Sequence, residues 1–309
     1  MTDLHQAVQD YIAVRRALGS KLERRPQLLE DFVAYVEAAG ATTVTTELAV
    51  SWATLPGDDA HPTYLSNRLC AVRGFARHLQ AFDPDTEVPP ARLLPRPKCR
   101  AVPYLYSDAD IATLMNAARR LTPPLRAATY ETLIGLLSAT GMRVSEALRL
   151  DRDDVDWDEG VLTVWDSKFG KSRHLPLHPS TMQALQSYAD RRDELCPDTT
   201  TASFFVSPSG GRLVYVTVQN RFSRLVEDAG LGPRSQRRRL RIHDMRHSYA
   251  CTVLLGWYRD GVDVEAHLPL LSTYLGHSRP SCTYWYLKAV PELLALAAQR
   301  RDQFRGVPA

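Results

Sequence analysis

Apolar positions recur at helical spacing through most of the chain. In LHQAVQDYIAVRRAL, Leu4, Val8, Tyr11 and Ile12 fall on one face of a helix. PQLLEDFVAYVEAAG opens on Pro26 and closes on Gly40, residues that start and stop helices. TTELAVSWAT predicts a short third helix. PTYLSNRLCAVRGFARHLQAF predicts a longer fourth, with Leu65, Leu69, Val72, Phe75 and Leu79 on one side. Residues 1–88 therefore read as a small helical domain.

The pattern then breaks. VPPARLLPRPKCRAVPYLYS carries five prolines between Val88 and Ser107, and each removes a backbone donor and disfavours helix just before it. Residues 89–106 read as an extended linker. It is also basic, with Arg92, Arg96, Lys98 and Arg100, which suits a strap lying along an anionic surface. From Ser107, a cap followed by early acids, helical spacing resumes over SDADIATLMNAARRL and again over LRAATYETLIGLLSATG, which ends on Gly141. A period-two interlude follows. Asp158-Glu159-Gly160 is a turn, Val161 to Trp165 favours strand, and SKFGKS is a second turn leading into RHLPL. Residues 107–309 thus predict an α-rich domain with a small antiparallel sheet inserted among its helices, and the whole chain is mainly α.

At 309 residues the chain is long enough for two domains, and its apolar fraction of 44% is that of a globular protein. A net charge of +3 permits a nucleic-acid partner without requiring one, so the local distribution of charge decides. Cys70, Cys99, Cys196, Cys251 and Cys282 are scattered and never paired as CxxC. Reduced thiols in a cytoplasmic setting fit that spacing better than a disulfide framework or a zinc ribbon. The start, MTDLHQAVQDY, lacks the form of a signal peptide, and no stretch is apolar enough to span a bilayer, so no membrane association is expected.

Two segments carry candidate chemistry. In RIHDMRHSYACTVLLGWY, His243, Arg246 and His247 sit three and four apart at the start of a predicted helix whose apolar stripe begins one turn later. A helix N-terminus favours an anion, and the run RSQRRRLR immediately upstream supplies Arg237, Arg238, Arg239 and Arg241. In SATGMRVSEALRL, Arg143 follows a glycine turn and precedes Glu146 by three residues. The carboxylate can pin the guanidinium so that its fork faces a phosphate, although a surface ion pair would have the same spacing. The pattern H-D-x-x-H also echoes the zinc motif H-E-x-x-H. Its acid is one methylene short, a third ligand at that motif's spacing is missing, and Arg246 between the histidines would repel a cation, so no metal is expected.

Taken in order, Arg143 in ATGMRVSEAL, Lys168 in DSKFGKSRHLPL, His243 and Arg246 in HDMRHSYA, His277 in LGH and Tyr286 nine residues beyond resemble the tyrosine recombinase (phage integrase) family, specifically members carried by bacterial mobile elements. The resemblance covers residue 107 to the end; the helical first domain resembles the family's core-binding (SAM-like) domain only in position and composition. It implies a site-specific DNA recombinase that needs no metal, cofactor or ATP. Tyr286 would attack a DNA phosphodiester to give a 3′-phosphotyrosine. Arg143 and Arg246 would hold the nonbridging oxygens, Lys168 would protonate the leaving 5′ oxygen, His243 would act as general acid/base, and His277 would hydrogen-bond the phosphate. Glu146 would orient Arg143. Lys171 and Arg173 are expected as solvated or phosphate-contacting residues, and Arg73, Arg77, Lys98, Arg100 and the arginines at 237–239 and 241 as contacts to the DNA backbone.

Double-stranded DNA bearing a specific site is the implied partner, with a tetrameric synapse of this chain, alone or with sister recombinases. The amphipathic tail VPELLALAAQRRDQF would dock on its own domain or on a neighbour. Periodicity does not choose between Tyr284 and Tyr286, since residues two apart on a helix face nearly opposite ways; the family spacing selects Tyr286. A type IB topoisomerase and a catalytically silent DNA-binding regulator are the alternative readings.

Overall fold

The computed structural model describes residues 3–20, 22, 25–57, 59–95, 103–165, 172–199, 201–232, 240–277, 283–284 and 286. It divides into two compact units, residues 1–101 and 102–309.

The first unit holds α1 (Leu4–Ala17), α2 (Arg25–Ala38), α3 (Thr46–Thr54) and α4 (Pro62–Leu79). Each start has a local cause. The Asp3 carboxylate accepts from the His5 and Gln6 amides, the Thr45 hydroxyl from Leu48, and Pro62 presets the first turn of α4 behind a His61 cap. Their apolar faces meet in one core that includes Val8, Ile12, Phe32, Val36, Trp52, Leu69, Val72 and Phe75. Leu65, expected on that face, is only half-buried. Val88 and Leu94 pack against the same core.

Arg73 was expected to meet DNA. Its Nε donates to the Pro89 carbonyl and its Nη2 to the Pro90 carbonyl, both at 2.7 Å. Consecutive prolines have carbonyls to satisfy but no N–H groups with which to pair in a ladder, and this guanidinium satisfies two of those carbonyls at once. Arg73 thus fastens the beginning of the linker, whereas Arg77 is exposed.

The second unit opens with Tyr104 and Tyr106 packed against its core, the Tyr106 amide donating to Ser248 Oγ at 2.7 Å. The linker expected over 89–106 therefore has both ends built into folded units, its beginning into the first and its end into the second. α5 (Asp108–Arg119) starts in a reciprocal cap between Ser107 and Asp110, and α6 (Pro124–Thr140) packs along it. α6 stops at Gly141, which is left-handed (φ 60°). A methyl at Gly141 would also stand 2.5 Å from the ring of Tyr249. Gly141→Ala is therefore expected to destabilise the protein by roughly 1–3 kcal/mol, read as a lower midpoint in thermal unfolding.

A single turn, α7 (Val144–Ala147), leads to a three-stranded antiparallel sheet of β1 (Val155–Asp156), β2 (Val161–Val164) and β3 (Arg173–Pro176). Leu162 pairs with Leu175 and Val164 with Arg173. Leu162, Val164 and Leu175 are buried, so alternation places Arg173 on the inward face as well. α8 (Pro179–Leu195), α9 (Tyr215–Asp228), α10 (Asp244–Arg259) and α11 (Val264–Tyr274) complete the described elements. α10 and α11 share a satellite core that also takes in Tyr286. No helix of the described residues is long and apolar enough to cross a membrane. Cys70, Cys196 and Cys251 are free thiols, and burial pushes the Cys251 thiol up to about 12.

Candidate active site

Four segments of the second unit converge: the α6–α7 turn, β3, the start of α10, and the turn after α11 with the residues that follow it. The left-handed stop at Gly141 redirects the chain so that Arg143 becomes the cap of α7. There its amide donates to Glu146 Oε2 (2.9 Å), its Nη1 to Glu146 Oε1 (2.6 Å) and its Nη2 to the Gly276 carbonyl (2.7 Å). Glu146 is buried, with 1% of its side chain exposed. Burial alone would raise its carboxyl, but the hydrogen bonds and charges of Arg173 and Arg143 more than reverse this and hold it at about 2.

The sign of the resulting pH dependence follows. A carboxyl held below its unfolded value near 4.5 contributes stability at every pH above that value, and the contribution fades as pH falls toward 2. Glu146→Gln is expected to be less stable than the parent at pH 7, with the gap narrowing between pH 4.5 and 2 in unfolding titrations across pH.

Arg246 lies on the inner side of the first turn of α10. Its Nη1 donates to the Gly141 carbonyl at 2.8 Å and its Nη2 to the Leu275 carbonyl, so the residue ties the α6 stop to the turn beyond α11. Burial first, and then the charge of Arg143, pull its guanidinium down to about 10, while Tyr286 and Glu146 act the other way. Three guanidinium groups, of Arg143, Arg173 and Arg246, are thus gathered around one buried carboxylate. Such a place is short of negative charge, and an anion relieves it.

Tyr286 is 2% exposed and Tyr284 is 45% exposed, so the fold buries the first ring and leaves the second at the surface. The Tyr286 ring lies 5.4 Å from that of His247 and 6.1 Å from that of His277, and His247 lies 5.1 Å from His243. His243 is exposed at the cap of α10. Thr283, fully buried, shares the Tyr286 face and exchanges a 2.8 Å hydrogen bond with His277 Nδ1, which fixes the imidazole. Sequence reasoning passed over Thr283, although its alignment with Tyr286 one turn on was visible.

One expectation changes. Arg173 was expected in solvent or on phosphate. Its side chain is 9% exposed, with Nη2 on Glu146 Oε2 at 2.8 Å and Nε on the Tyr274 carbonyl at 2.7 Å. Arg241 keeps an exposed side chain beside a groove of about 490 Å³ along α9 that Arg224 and Asn220 also line, but it is paired with Asp244 at 3.0 Å. That pairing, with the Arg241 amide on the same carboxylate, occupies the acid of the H-D-x-x-H pattern inside the protein. No cluster of metal-ligating side chains occurs among the described residues. Lys168, Lys171, Lys98, Arg100, Arg237, Arg238, Arg239 and the tail VPELLALAAQRRDQF lie outside the described residues.

Comparison with known proteins gives the family. Residues 105–292 match the phage integrase family. The chain belongs to that family. It is 44% identical to the putative integrase/recombinase y4rB of Sinorhizobium fredii over 98% of each chain. In fold it is similar to the Tn1549 transposon integrase solved with transposon right-end DNA (TM-score 0.65, 18% identity, 96% of this chain and 98% of that one). It is similar also to a lambda integrase tetramer on a Holliday junction (TM-score 0.60, 17% identity, 91% and 79%). As a member of the phage integrase family the chain is a tyrosine-type DNA recombinase: it binds DNA and breaks and rejoins strands through a covalent tyrosine intermediate.

Proposed function

We propose that this recombinase is the cytoplasmic integrase of a bacterial mobile element, with Tyr286 as its nucleophile and Arg143, Lys168, His243, Arg246 and His277 as its catalytic set. The observation that supports the residue roles is the gathering, from segments distant in sequence, of Arg246 and His277 beside the buried Tyr286, with Arg143 on the neighbouring Gly276 carbonyl and His243 one ring away through His247.

Tyr286 Oη attacks phosphorus, an Oη–P bond forms, and the P–O5′ bond breaks. His243 takes up the phenolic proton and Lys168 supplies one to the departing 5′ oxygen. Arg143 and Arg246 meet the charge that builds on the nonbridging oxygens, and both are already fixed by backbone carbonyls, so little reorganisation is needed at the moment of reaction. His277, held through Nδ1 by Thr283, directs Nε2 to the same phosphate. The phosphotyrosine conserves the bond energy, and the 5′-hydroxyl of a partner strand reverses the step. Exchange between duplexes requires several copies of the chain, and we assign it a tetrameric synapse. Arg77 and the arginines at 237–239 and 241 are assigned to DNA phosphates, where they fix position without reading sequence; the helical first unit is assigned the role of a core-binding domain.

The test is covalent trapping with EDTA present on nicked duplexes tiled from the DNA flanking the gene, in which the nicked fragment diffuses away after cleavage. A protein–DNA adduct on a denaturing gel is the expected result. Tight binding without an adduct on any tile would reduce the chain to a DNA binder.

A further inference from the structure

Arg173 has no place in the mechanism above, yet it is as deeply engaged in the site as Arg143. It projects from the inward face of β3, opposite Val164. Its Nη1 and Nη2 reach Glu146 Oε1 and Oε2 at 3.2 and 2.8 Å, an end-on fork, and its Nε holds the Tyr274 carbonyl at 2.7 Å. Gly276, whose carbonyl Arg143 holds, is pressed against the same group: a methyl there would lie 2.8 Å from Arg173 Nη1 and 3.5 Å from Arg143 Nη1.

Charge explains what a second arginine on Glu146 accomplishes. A carboxylate that orients Arg143 one-to-one also cancels it, and a neutral pair attracts phosphate weakly. With Arg173 sharing the carboxylate, the trio carries a net charge of about +1, so Arg143 is oriented without being cancelled. The same side chain connects β3, which follows Lys168 in the sequence by five residues, to the turn after α11 that precedes Tyr286.

We propose that Arg173 is a positioning residue for strand cleavage, acting through Glu146 and the Tyr274–Gly276 turn to leave the Arg143 charge uncancelled and aimed at the scissile phosphate. The inference rests on the assignment of Arg143 as a phosphate ligand. Lysine preserves the charge but not the three-point grip, because an ammonium has no planar fork. Among the described residues, the charged groups near Glu146 are Arg143 from the α6–α7 turn, Arg173 from β3 and Arg246 from α10, with Arg149, Asp151 and Asp154 lining the cavity that it borders.

Single-turnover cleavage of the nicked duplexes, at saturating protein and from pH 5.5 to 8.5, tests this. For Arg173→Met, DNA affinity is expected within about threefold of wild type, and cleavage about 100-fold slower at pH 7. The variant-to-wild-type ratio should fall as pH rises, since Glu146 without Arg173 titrates higher and cancels Arg143 one-to-one only once it is ionised. For Arg173→Lys the ratio is expected to be flat at about one-tenth. In a Glu146→Gln background, Arg173→Met should cost less than about threefold more.

If Arg173→Met does not fold, Arg173→Lys decides: a flat tenfold loss supports the proposal and wild-type cleavage overturns it. Wild-type cleavage by Arg173→Met, or a loss that is the same at every pH and persists in full on Glu146→Gln, would also overturn it. Absence of an adduct from the parent protein would instead sink the underlying assignment.

Discussion

Tyr286→Phe is expected to abolish covalent strand cleavage and to leave DNA affinity within about threefold of wild type, under 1 kcal/mol. The substitution removes one oxygen from a ring that is 2% exposed and packed against His247 and His277. Phenylalanine keeps those ring contacts and the satellite core of α10 and α11, so the binding surface should survive. Without Oη no bond to phosphorus can form. Tyr284 offers no replacement, because it is exposed on the opposite side of the same turn. Trapping gels that compare wild type, Tyr284→Phe and Tyr286→Phe, with a filter or mobility-shift titration alongside, check both halves. An adduct persisting in Tyr286→Phe would refute the assignment of the nucleophile.

Arg246→Lys is expected to slow cleavage by about 10²–10³-fold, the scale of losing one preorganised donor to a developing oxyanion. The two Nη groups of Arg246 bridge the Gly141 and Leu275 carbonyls, a span that one ammonium does not cover. Charge compounds the loss. Arginine tolerates a site crowded by Arg143 because its proton is held firmly, whereas a lysine amine in the same burial is readily neutralised. The defect should therefore deepen as pH rises from 6 to 9. Single-turnover rates across that range are the check, and cleavage within tenfold of wild type throughout would show that Arg246 does not contact the reacting phosphate.

The helices were legible because each carried both a period and a punctuation mark: the Asp3, Thr45 and Ser107 caps, the Pro62 start, the Gly141 stop. β1 was not, since two residues are too short to show alternation. The ion pair of Arg143 with Glu146 could be read from spacing, because a cap residue and the third residue of its helix must meet. Arg173 was misread for a different reason. Charge suggested solvent, but in RHLPL the buried Leu175 shares its face with Arg173, and the two-residue period was the better guide. For Arg73 no local pattern helped, as its partners are carbonyls sixteen and seventeen residues on. Nor could spacing choose between the two tyrosines; it took a packed core to turn Tyr286 inward.

The bonds that assemble the site join residues far apart along the chain: 105 residues from Arg246 to Gly141, 133 from Arg143 to Gly276, 101 from Arg173 to Tyr274. A ribosome delivers the chain from its first residue onward. The four-helix first unit, a compact body with its own core inside residues 1–101, can therefore fold while the rest is still being made. The grouping of Arg143, Arg246 and Tyr286 cannot, because the two arginines wait for carbonyls at 275 and 276 and Tyr286 arrives ten residues later still. Until residue 286 has been added, the buried tyrosine ring does not yet exist, and until 275 and 276 are in place the two guanidinium groups lack those anchors, so the site comes together only as a late step of synthesis.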